Sequence, residues 1–142
     1  MSLRRSSPRI RSGSVAVELA VLLPLIAFFA VIGVDYARIF SRTMILETAS
    51  RNAAYWACQD IDHATNTAGI ASVAQQDLTD VSPTPTVTSN VYDGGDGFKY
   101  VRVTVTMPFD TITTFPGVPS SSTLSRSTDM RVLPTYPKPG TF

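Results

Sequence analysis

The hydrophobic pattern of the chain changes its code twice. Across residues 15–34 apolar side chains run almost unbroken, interrupted only by Glu18, Pro24 and Gly33. At 1.5 Å of rise per residue that run makes a helix of about 30 Å, the thickness of one bilayer core. Beyond it the apolar residues thin to a helical period. Tyr36, Ile39, Phe40, Thr43, Met44, Ser50, Ala53, Ala54, Ala57 and Ile61 recur mostly at three- and four-residue steps, with Arg38, Arg42, Glu47 and Arg51 largely off that face. No Pro or Gly intervenes between Val34 and Gly69. The pattern predicts one helix from about residue 14 to about 59, its second half packed on a domain through this stripe. Ala49, Ala53 and Ala57 would let a neighbouring element come close. Pro24 removes the bond to the Ala20 carbonyl and is expected to bend the helix, a kink that membrane helices tolerate.

Residues 60–68 read as a loop, and 69–78 as a short second helix ended by Val81-Ser82-Pro83. The period then drops to two. Residues 84–92 are rich in Thr and Val. In 98–107, Phe98, Tyr100, Arg102, Thr104 and Thr106 alternate with Val101, Val103 and Val105. Between these strands, Asp93-Gly94-Gly95-Asp96-Gly97 supplies glycines able to take positive φ, which predicts a hairpin. Pro108 is expected to stop the second strand, residues 111–122 to form an exposed loop, 124–133 a third strand, and 134–142 a mobile tail. The fold class is therefore α+β: a long N-terminal helix with a transmembrane and an amphipathic half, a short second helix, and a small antiparallel sheet of about three strands.

Charge orients this arrangement. Arg4, Arg5, Arg9 and Arg11 precede the apolar run with no acid among them, and such a flank stays in the cytoplasm while the remainder is exported. Three regions follow: a disordered cytoplasmic leader over 1–13, a transmembrane helix over 14–34, and an exported domain over 35–142. The run is longer than a secretory signal core and lacks a small-residue cleavage site, since Phe28, Phe29 and Ile32 crowd Ala27, Ala30 and Gly33. Arg4-Arg5 is followed by Ser-Ser-Pro, which speaks against twin-arginine export. The leader holds four of the twelve basic residues and none of the eleven acids. What remains is mildly acidic and has no basic patch for nucleic acid.

A chain of 142 residues leaves room for one modest domain beside the membrane helix. His63 is the only histidine and Cys58 the only cysteine, and no G-x-S-x-G, H-E-x-x-H or phosphate loop is present. No catalytic residue, cofactor or metal is assigned, and an enzyme is not expected. Asp60, Asp62 and His63 bunch on one stretch without a fourth ligand at a recognisable spacing, and the 93–97 loop lacks the spaced carboxylates of a calcium loop. Cys58 has no partner for an intramolecular disulfide and is expected to be buried on the helix face.

Glu18 is the residue that asks for an explanation. An ionised carboxylate inside an apolar span costs on the order of a few kcal/mol unless paired, and the positions three and four away, Ser14, Val15, Val21 and Leu22, offer no cation. A cut between Gly13 and Ser14 would create an α-amino group near Glu18, in the same molecule or a neighbour. Ser14 could then cap the helix.

Gly13-Ser14 with a glutamate at the fifth position after the cut resembles the prepilin peptidase site of type IV pilin-like proteins. The stretch G-S-V-A-V-E-L-A-V-L-L-P-L-I-A-F-F-A-V-I-G-V-D-Y-A-R-I-F, from Gly13 to Phe40, resembles the TadE-like family, minor pseudopilins of the tight adherence (Flp pilus) system. The resemblance extends over residues 11–58, through Gly33, Asp35 and Arg38 at the exit of the span and the alanines of the following helix; Met130-Arg131-Val132-Leu133 is similar to the family's final strand. It implies a pilin-like unit in the bacterial inner membrane, N-terminus cytoplasmic and C-terminal domain periplasmic or extracellular. The implied roles are Gly13 and Ser14 as processing site, Glu18 as the residue setting subunit register, and Pro24 as a kink used when subunits leave the membrane. The implied partners are the prepilin peptidase, other pilins and pseudopilins, the pilus assembly machinery and the lipid bilayer, with no nucleic acid. The alternative is an uncleaved single-pass anchor carrying a small exported binding domain.

Overall fold

The structure is a computed structural model and describes residues 12–112 and 120–134. The leader before Ser12, most of the long loop and the tail beyond Pro134 lie outside the described residues, and with them the expectations of disorder and mobility placed there. Among the described residues six elements follow in order: α1 (Ser12–Ala57), α2 (Ile61–Thr65), α3 (Thr67–Gln76), β1 (Thr86–Asp93), β2 (Lys99–Asp110) and β3 (Ser121–Arg131). The sheet has the order β1-β2-β3 and is antiparallel throughout. The α+β class, the long first helix and the three strands stand as the pattern predicts.

The core is a sandwich of helix on sheet. Val101, Val103 and Val105, with Met107 and Phe109, point from the central strand β2 into α1 and α3, where they meet Leu46, Ala49, Ala53, Ala54, Ala57, Ile70 and Ala74. The alanines bring α1 close to its neighbours, as core packing. The turn between β1 and β2 is the glycine loop, with Gly95 at φ +79° and Gly97 at φ +83°, a region that favours glycine.

Three local expectations are corrected. First, residues 61–65 are helical, because Asp60 caps a turn by accepting the His63 amide at 2.7 Å. Second, β2 runs through Pro108 to Asp110. Pairing with β1 ends at Thr106, so beyond it β2 has an open side on which a proline costs no ladder bond. Third, Tyr36, Phe40 and Met44 are exposed, although their spacing suggested the packed stripe; the buried line is Asp35, Leu46, Ala49, Ser50, Ala53, Ala54 and Ala57. In the uncut chain α1 begins by Ser12, so Ser14 lies inside it.

Candidate functional site

The chemistry of this chain is concentrated on α1, and the packing of α1 decides what remains available. Three polar links bind its C-terminal half to the sheet. At the exit of the apolar run Asp35 is buried, and its Oδ1 accepts both the Ile112 backbone amide at 3.0 Å and Arg38 Nη1 at 3.1 Å. The Arg38 guanidinium lies over the Phe109 ring at 5.0 Å. Midway, buried Ser50 shares a 2.9 Å hydrogen bond with Thr128 of β3. At the far end the Leu133 amide donates to the Cys58 carbonyl at 2.8 Å. One face of the helix is thereby committed to the domain.

A second line of residues along α1 is not covered by the rest of the chain. Glu18, Leu22, Ile26, Phe29, Gly33, Tyr36, Phe40 and Met44 follow one another at three- and four-residue steps, which aligns them along one side of a helix. Tyr36 is 74% and Phe40 65% exposed. This stripe passes without a break from the membrane-length run into the half that carries the domain. Gly13 lies in the first turn of α1 and is exposed, and α1 continues through Pro24. Gly13, Ser14, Glu18 and Pro24 thus share one helix.

Elsewhere the groups considered for chemistry serve the fold. Asp60 receives both the His63 amide and His63 Nδ1 at 2.7 Å, and these bonds hold its carboxyl below the usual range. His63 packs edge-on to Trp56 at 4.4 Å. In the glycine loop Asp93 accepts the Gly95 amide at 2.9 Å, while Asp96 accepts the Tyr100 hydroxyl at 2.8 Å and the Phe98 amide at 3.0 Å. The same bonds lower the Asp96 carboxyl and raise the Tyr100 phenol. On the open face of the sheet Arg102 makes two hydrogen bonds to Asp129, at 2.7 and 2.8 Å, and Tyr92 stacks on Tyr100 at 5.8 Å. Cys58 is half-buried rather than buried; its thiol donates to the Tyr55 carbonyl and is pushed up by desolvation.

Sequence reasoning found Asp35 only as part of a family pattern, placed Arg38 off the packed face, and missed the bond to Ile112. The available signal was an acid at the end of an apolar run with an arginine three positions on, a helical pair. Among the described residues one helix is long and apolar enough to cross a membrane, with a mean hydropathy of 2.7 in its most apolar window and none of that window buried. No curated protein and no solved structure matches the chain. Over residues 13–54, however, it matches the family model described as TadE-like protein, the family that its N-terminal helix resembles.

Proposed function

We propose that the protein is a minor pseudopilin of a tight-adherence (Flp) pilus that works by protein–protein association in pilus assembly or anchoring. The TadE-like match and the long apolar N-terminal helix fit a membrane protein associated with such a pilus, and that family is not known as enzymatic. The observation that carries the reading further is an exposed stripe on α1 that begins at Glu18 and continues past the membrane-length run through Tyr36, Phe40 and Met44. A solitary anchor needs apolar surface only within the bilayer, whereas a subunit that packs helix on helix needs it beyond.

In this mechanism the chain enters the inner membrane by α1 with its N-terminus in the cytoplasm. A prepilin peptidase then cuts between Gly13 and Ser14. The α-amino group released at Ser14 pairs with Glu18 of a neighbouring helix, and the cost of a carboxylate in apolar surroundings turns that pair into a register mark. Pro24 gives the helix a bending point during extraction.

The test is N-terminal sequencing of the protein from membranes of its own host, with and without an active prepilin peptidase. The expected start is Ser14, lost when the peptidase is inactive. An unchanged, uncut start in both would leave a single-pass anchor and overturn the processing step.

A further inference from the structure

A shallow depression lined by Val34, Ala37, Arg38, Ser41 and Arg42 lies where α1 leaves its apolar run. Its lining joins apolar to cationic groups, the complement of the seam between acyl chains and headgroup phosphates. Arg38 and Arg42 are four residues apart and stand one above the other on the helix. By helical rise they lie about 6 and 12 Å beyond Val34, and the headgroup region adds about 5–8 Å to each side of the hydrocarbon core. Helical side chains lean toward the N-terminus, which here is the membrane side, so the long Arg42 arm reaches back into that layer.

The charge balance favours an anion. Arg38 is shared with Asp35, whereas Arg42 is half-buried and makes no ion pair among the described residues. The other acid at this end, Asp110, follows Phe109 in β2, and strand alternation turns it to the opposite face of the sheet.

We infer that Arg38, Ser41 and Arg42 form a site for the phosphate of an anionic phospholipid headgroup. Arg42, the Arg38 donors not used on Asp35, and the Ser41 hydroxyl donate to phosphate oxygens, while Val34 and Ala37 meet the upper acyl chain. Because Asp35 also holds Ile112, a lipid fixed here sets how the sheet-bearing domain stands on the bilayer. The inference rests on α1 crossing a membrane and is independent of cleavage and of the pilus.

The experiment reconstitutes the full chain in nanodiscs of equal phosphatidylglycerol and phosphatidylcholine, extracts it into mild detergent, and counts retained lipids by native mass spectrometry. Phosphatidylglycerol is expected to be retained in preference. Arg42→Gln lowers that preference about fivefold, and Arg42→Lys keeps most of it. High salt weakens it, since the site is open to solvent. Arg51→Gln, about 25 Å beyond Val34, leaves it unchanged. Equal retention of the two lipids by the unmodified chain, or an unaltered preference in Arg42→Gln, overturns the site. Displacement of the lipid by millimolar inorganic phosphate overturns the lipid as its ligand. A chain absent from the nanodiscs overturns the membrane reading itself, an outcome told apart from loss of selectivity by the discs being empty of protein.

Discussion

The two halves of α1 solve different problems with one helix. Over residues 15–34 large apolar side chains point in every direction, and none of the most apolar window is buried by the rest of the chain. From Asp35 onward Leu46, Ala49, Ser50, Ala53, Ala54 and Ala57 are fully buried, while Tyr36, Phe40, Met44 and Tyr55 stay exposed. A bilayer asks for apolar surface all round and is indifferent to volume, because lipid chains conform to whatever shape they meet. A folded partner asks for volume first, since its side chains are packed at crystal-like density. Hydropathy therefore describes the first half well, and side-chain size describes the second.

The sharpest way to break this contrast is to make the same change on both sides of it. Ala53→Leu forces three extra carbons into a site with no exposure and is expected to cost about 1–3 kcal/mol. Ala20→Leu, on the exposed membrane half, is expected to stay within about 0.5 kcal/mol. Thermal unfolding of the full chain in detergent, followed through Trp56, the single tryptophan, reads both. Equal losses would mean that the membrane half is packed as tightly as the domain.

A smaller effect sharpens the boundary between the halves. Asp35→Asn keeps the shape but removes the charge that accepts Ile112 and Arg38, with an expected loss of about 1–2 kcal/mol. The diagnostic readout is hydrogen exchange at the Ile112 amide, which should quicken selectively. An unchanged rate there would show that Asp35 does not hold the end of β2 to the helix.

How much of this was legible beforehand follows from the same distinction. The membrane-length run, the alternation of Val101, Val103 and Val105, and the glycines at 95 and 97 are local signals, and each predicted the element found. The orientation of α1 was not legible, because apolar residues occupy both of its sides and nothing local says which meets the sheet. The helical turn at 61–65 was missed because five residues are too few to show a period, although Asp60 three positions before His63 is a cap signal. The extension of β2 beyond Pro108 depended on where β1 ends, and the Asp35–Ile112 link spans 77 positions; both are products of tertiary assembly. Gly13, Ser14 and Glu18 were singled out by their spacing and by family resemblance, and the packing of α1 adds only that Glu18 shares a side with Tyr36 and Phe40.

The smallest expected effect concerns pH, and it too separates the regions. Residues 15–34 hold a single titratable group, Glu18, whereas the open face of the sheet carries a set of linked ones. The hydrogen bonds from Arg102 hold Asp129 below the ordinary carboxylate range, and those from Tyr100 and the Phe98 amide do the same for Asp96. A carboxyl whose folded pKa is depressed stabilises the fold above its unfolded value, near 4, and that contribution is lost as pH falls through the folded value. Tyr100, raised by donating to Asp96, contributes below its unfolded value near 10 and loses that contribution as pH rises through its folded one. Stability should therefore be flat between about pH 5 and 8 and decline at both ends, with the raised Cys58 thiol adding to the alkaline decline. Asp129→Asn should remove part of the acid decline, by about a degree or two in Tm because the pair is exposed and solvent-screened. If that variant left the acid arm unchanged while Asp96→Asn flattened it, the response would belong to the glycine loop rather than to the cross-strand pair of Arg102 and Asp129.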